Sequence, residues 1–162
     1  NGNLLTSAAD PEYIAPHCKK YEDYDRVMDA GASSKNIYFI RYADLILLYA
    51  ECLLAENDLA GAKQQVIRVR NRAKVSTPIT ASNNTEMLDF IYEERMRELG
   101  MEGWRRMDLI RRGADYFAAQ VDKYNPFAKG NVQPYHAFYP IPTNEINMND
   151  GIGAEDQNEG YK

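Results

Sequence analysis

The sequence of 162 residues predicts a mainly all-α fold, in which helical hairpins carry long irregular loop arms. Three observations lead there. Apolar residues recur at helical spacing in four segments between residues 37 and 121. The first 36 residues are rich in Asp, Pro, Tyr and Gly and show weak periodicity. Beyond residue 121, Pro126, Gly130, Pro134, Pro140 and Pro142 interrupt any regular element. The chain therefore divides into a loop-rich arm over 1–36, four helices over 37–121 and an irregular C-terminal tail over 122–162.

Residues 37–56 read as the first helix. Its polar positions Arg41, Asp44 and Glu51 make a narrow stripe, and nearly everything else is apolar, so burial around most of the circumference is expected. Glu56-Asn57-Asp58 is a tight turn, with Asp58 or Asn57 capping a second helix over 58–73. There Leu59, Ala62, Val66, Val69 and Ala73 form one apolar face, and Arg68, Arg70 and Arg72 sit near the C-terminus, where the helix dipole favours cations. So short a turn makes the two helices antiparallel neighbours. This hairpin matches the helix–turn–helix unit of tetratricopeptide repeats, with Ala50 and Ala62 where close approach needs small side chains. A generic two-helix hairpin fits it as well.

Residues 75–84 are a loop. A third helix then starts near Thr85-Glu86 and runs to Leu99. Gly100 and Gly103 bend the chain before a fourth helix over roughly 103–121, with Trp104, Met107, Ile110, Ala114, Phe117 and Val121 on one side.

Composition narrows the function. Hydrophobic content of 44% and charged content of 27% are ordinary for one globular domain. The net charge of −5 disfavours nucleic acid, whose phosphates must be neutralised by Lys and Arg. Cys18 and Cys52 lack metal-ligand spacing, and His17 and His136 stand alone, so neither zinc nor any cofactor is expected. Cys52, in an apolar helix, reads as a buried thiol; a Cys18–Cys52 disulfide is open only to an oxidising compartment. No apolar run approaches the ~20 residues that span a bilayer. The opening at Asn1, without Met or leader, reads as a mature or trimmed fragment.

The densest charge lies between Glu94 and Gly113, where six Arg and four acids fall within twenty residues. On the third helix Leu88, Ile91, Tyr92, Arg95 and Leu99 share a face, which places Arg95 inside the apolar stripe. A buried guanidinium needs acceptors. Asp108 or Glu102, across the bend at Gly100–Gly103, is the expected bidentate partner. Asp108 and Arg111 flank the apolar face of the fourth helix, while Arg106 and Arg112 reach water. Because acids nearly balance arginines here, an interhelix ion-pair network is favoured over an anion site or a pair of hydrolytic carboxylates.

Several segments, in order, resemble the SusD/RagB family. They are Arg41-Tyr42-Ala43-Asp44 through Ala50-Glu51; Val69-Arg70-Asn71-Arg72-Ala73; and Glu93-Glu94-Arg95 through Asp108-Leu109-Ile110-Arg111-Arg112-Gly113. The tail adds Pro140-Ile141-Pro142, Glu145-Ile146, Asn149 and Gln157-Asn158-Glu159-Gly160-Tyr161. Gly100-Met101 departs from the pattern, where bulkier apolar or aromatic residues are usual. The resemblance runs from about residue 36 to the end and corresponds to the C-terminal portion of a family member.

That resemblance implies a non-enzymatic, surface-exposed outer-membrane lipoprotein. Such a protein binds glycan, or in some members peptide, and delivers it to a TonB-dependent, SusC-like transporter. It meets the membrane only through an N-terminal lipid anchor, which this chain does not include. The family's carried-over positions, Arg41, Asp44, Glu51, Arg95, Glu98, Glu102, Arg105, Asp108 and Arg111, would be scaffold ion-pair residues. The alternatives are peptide uptake within the same family and a tetratricopeptide-type interaction adaptor.

Sugar sites stack pyranose C–H faces on aromatic rings and bond the hydroxyls with polar side chains. Trp104, Tyr42, Tyr49 and Tyr92 are core candidates by helical phase. Tyr21, Tyr24, Tyr124 and Tyr135, in the loop-rich arms, are the candidate ligand platforms; packing the arms onto the helices is their alternative role.

Overall fold

The computed structural model describes Lys19–Tyr21, Ser33 and residues 35–162. Residues 1–40 and 41–162 form two compact units. In the first, Lys19–Tyr21 is a 3-10 turn. Lys-Lys-Tyr offers no β-branched residue to favour an extended strand there. Cys18, His17 and Tyr24 lie outside the described residues.

The second unit contains α1 (Tyr42–Ala55), α2 (Leu59–Arg72), α3 (Asn84–Glu98), α4 (Arg105–Arg111), α5 (Ala114–Tyr124) and α6 (Thr143–Met148). There is no strand among the described residues. The all-α fold class is therefore the one observed.

Helix α1 starts five residues later than its apolar run suggests. Ile37-Tyr38-Phe39-Ile40 is β-branched and aromatic, a poor helix sequence. Arg41 is extended (φ −123°, ψ 155°) and supplies no side-chain cap. Nor is α1 buried all round. Asp44, Leu47, Ala50 and Leu54 face inward, while Tyr42, Leu45 and Tyr49 are more than half exposed. Tyr42 and Tyr49 are thus not core residues, and Cys52, which follows them on the outer side, is exposed too. An almost wholly apolar helix gives no phase signal, so its buried side was chosen by its neighbours.

Asp58 caps α2, accepting from the Gly61 N–H at 2.7 Å. Asn83 caps α3 by accepting from the Glu86 N–H at 2.9 Å, so the helix starts at Asn84, one residue before the expected Thr85 start. Glu86 answers by accepting from the Ser82 N–H and hydroxyl at 2.7 and 2.8 Å, which holds its carboxyl below the usual range.

Helices α1, α2 and α3 enclose one core of Leu47, Ala50, Leu54, Ala62, Val66, Val69, Ala81, Met87 and Ile91. A smaller core of Leu109, Phe117 and Ala137 joins α4, α5 and the tail. The expected fourth helix is two helices. Gly113 takes φ +104°, a region closed to most side chains, and turns the chain between α4 and α5. Met107 consequently points outward, 56% exposed, rather than into the apolar face assigned to it. The half-buried Trp104 precedes α4. The tail is less irregular than its prolines suggest. Beside α6 it forms 3-10 turns at Pro134–Ala137 and Ala154–Asp156.

Candidate functional site

Between the two cores lies the charged segment. Leu99 ends α3, and the bend passes through Met101 (φ +66°) and Gly103 (φ +84°). The turn brings α4 back against α3. Arg95, 2% exposed, donates from Nε to Asp108 Oδ2 at 2.9 Å, and its Nη2 lies 2.9 Å from Asp108 Oδ1. On the opposite side Nη1 is 2.7 Å from Asp44 Oδ1 of α1. Asp44 Oδ1 sits off hydrogen-bond alignment there, and its carboxylate still favours the Arg95 charge. Burial works against the Arg95 charge, and the bonds and charges of Asp108 and Asp44 together more than offset it, so the guanidinium stays ionised.

Glu102 pairs elsewhere. Arg41 donates to it from Nε and Nη2 at 2.9 and 2.7 Å, and reaches Glu98 from Nη1 at 2.9 Å. The bond to Glu102 raises the Arg41 pKa further. Arg111 bridges α4 to Glu51 of α1 at 3.0 and 3.1 Å and touches Asp108 at 3.3 Å. Tyr92 donates to Glu51 at 3.4 Å, and burial pushes its phenol up to about 12. Arg105 donates to the Tyr92 carbonyl at 3.1 Å. The geometry therefore gathers Arg41, Asp44, Glu51, Arg95, Glu98, Glu102, Asp108 and Arg111 along the seam of α1, α3 and α4.

The sequence reading missed a second buried pair. Arg70 Nη1 lies 2.9 Å from Glu94 Oε2, and its Nη2 donates to the Thr77 carbonyl at 2.6 Å. The signal was present: Arg70 follows Val66 by four residues, and Glu94 follows Ile91 by three, each on the buried side of its helix. Arg106 and Arg112 do not simply reach water. Arg106 donates to the His136 and Ala137 carbonyls at 3.1 and 2.9 Å and lies 4.1 Å from the Tyr139 ring centre. Arg112 bonds Asp89 of α3 at 2.5 Å and stacks 3.9 Å over Tyr116.

The candidate platforms separate by position. Tyr21 is half-buried in its 3-10 turn. Tyr124 closes α5 and donates to Glu93 at 3.2 Å beneath the Lys123 ammonium, which fits a packing role. Tyr135 differs, because it lines a cleft of about 380 Å³ with Ala114, Pro134, Phe138, Asn158 and Glu159. Its ring packs against His136 and, edge to face, Tyr161 at 5.2 Å between centres. Gly160 (φ +87°) lies so close that a Cβ there would overlap the ring. A comparable cleft between α1 and α2 is lined by Arg41, Tyr42, Arg68 and Arg72, whose guanidiniums are already bonded to Glu98, Glu102, Gln65 and Tyr42.

Helical hairpins tied by buried arginine–carboxylate pairs, with an aromatic cleft on the C-terminal tail, define an all-α scaffold. The chain belongs to the SusD family, whose model matches residues 1–161. It is 34% identical over 134 residues to SusD-like protein P25 of Formosa agariphila, covering 80% of this chain and 25% of the relative. It is 32% identical over 142 residues to the starch-binding protein SusD of Bacteroides thetaiotaomicron, covering 84% and 23% respectively. The chain thus spans about a quarter of the length of these relatives. No solved structure gives a significant match.

Proposed function

We propose that this chain is the C-terminal part of a non-enzymatic binding protein that captures oligosaccharide at the cell surface. It hands the ligand to a TonB-dependent, SusC-like transporter in the outer membrane, where a lipid anchor holds the full-length protein. Membership of the SusD family carries this reading, and one matched relative is named as starch-binding. The acid chemistry agrees with binding rather than hydrolysis. A glycosidase needs two carboxylates facing across a cleft, roughly 5–9.5 Å apart. Here the buried acids Asp44, Glu94 and Asp108 each face an arginine. No helix among the described residues is long and apolar enough to cross a membrane.

The test is a glycan and peptide array probed with the full-length protein, followed by co-purification with its transporter. Saturable glycan binding without hydrolysis is expected. Clear peptide binding with no glycan bound would replace this reading with peptide uptake.

A further inference from the structure

We propose that the cleft bounded by the tail and the start of α5 is a subsite for one uncharged pyranose ring. This rests on the oligosaccharide reading and adds to it a place and a class of sugar. A volume of about 380 Å³ lies at the small end of ligand sites and suits a single ring better than a long chain.

The lining has both halves of the necessary chemistry. Tyr135, Phe138, Pro134 and Ala114 supply apolar surface for the C–H face of a sugar. Asn158 and Glu159 supply polar groups for its hydroxyls. These walls are set before any ligand arrives. Gly160 backs the Tyr135 ring, and the Tyr161 hydroxyl donates to the Phe138 carbonyl at 3.0 Å. Asn158 Nδ2 donates to the Tyr139 carbonyl at 2.7 Å, which fixes the carboxamide. Its Oδ1 and the Glu159 carboxylate have no protein partner among the described residues and are left to accept from hydroxyls. Rigid walls lower the entropy lost on binding.

Charge sets the class. Among the described residues, Glu159 is the one charged side chain lining the cleft, and no Lys or Arg lines it. A uronate or sulfate would meet a carboxylate with no cation to balance it.

The experiment titrates the full-length protein by calorimetry with maltotriose, cellotriose, xylotriose and mannotriose, and with trigalacturonic acid as the anionic probe. At least one neutral trisaccharide is expected to bind, with Tyr135→Leu and Phe138→Ala each weakening it about tenfold. Tyr135→Phe, which keeps the ring, should lose less than about threefold. Phe138 is 58% exposed, so its removal tests the cleft without opening a core. Glu159→Gln should narrow the preference for the neutral trisaccharide over trigalacturonic acid. Trisaccharide binding unchanged in both Tyr135→Leu and Phe138→Ala would overturn the subsite and leave the oligosaccharide reading standing. Trigalacturonic acid bound as tightly as the neutral probes, with the same loss in the variants, would overturn the charge selection. No binding of any trisaccharide or longer oligosaccharide would overturn both the subsite and the reading beneath it.

Discussion

Arg95 of α3 and Asp108 of α4 meet at two points, Nε on Oδ2 and Nη2 on Oδ1, each at 2.9 Å, with almost no access to solvent. The pair spans the bend that separates the two cores, and Asp44 of α1 completes it at 2.7 Å. Replacing one member strands the others. Asp108→Ala should cost about 3–5 kcal/mol in urea denaturation, the usual loss when a buried pair is broken. Arg95→Met strands two carboxylates and should cost at least as much, while Arg95→Lys, unable to make the bidentate contact, should recover only part. A loss near zero for Asp108→Ala would show that the pair does not hold the helices.

Arg106 joins α4 to the tail through the His136 and Ala137 carbonyls and the Tyr139 ring. Arg106→Ala removes two charge-assisted bonds, each worth about 1.5–3 kcal/mol. Because both hydrogen bonds go to the tail, limited proteolysis should cut between 126 and 142 sooner while α1–α3 stay protected. An unchanged cleavage pattern would mean that the smaller core holds the tail by itself.

Gly160 combines a positive φ with a close approach to Tyr135. Gly160→Ala adds left-handed strain of roughly 1–2 kcal/mol and must displace the ring or the tail. The near-ultraviolet dichroism of tyrosine should change while the helical signal is kept. Retention of the wild-type tyrosine spectrum would show that the ring is not seated by this glycine.

Tyr92 yields an alkaline prediction. Burial lifts its phenol to about 12, above the ordinary value near 10. The unfolded chain therefore loses this proton first as pH rises. The stabilisation is complete below about pH 10 and is lost between about 10 and 12. Tyr92→Phe should flatten that part of the stability curve, at the cost of the long bond to Glu51. Identical alkaline profiles for the two proteins would refute the shift.

Amphipathic elements were legible and uniformly apolar ones were not. The faces of α2 and α3 could be read because charged residues mark their outer sides, and Arg95 stood out as a charge in an apolar stripe. The α1 sequence has almost no polar contrast, so periodicity could not choose between the Leu47 side and the Tyr49 side. Arg70 was passed over because a cation near a helix C-terminus already had an explanation in the dipole. Among the arm tyrosines, nothing in the local sequence separated Tyr135 from Tyr124. Tyr135 lines its cleft with Phe138, three residues on, and with Asn158 and Glu159, more than twenty residues away.

The sequence by itself determined the helical class, the bend at Gly100–Gly103 and the order of motifs that marks the family, because these depend on local spacing and residue type. Tertiary structure decided which side of α1 is buried, which acid takes Arg95 and which tyrosine borders a cleft. Each of those outcomes is a choice among several chemically equal partners. Only the packing of distant segments brings one of them within contact distance and shields it from water.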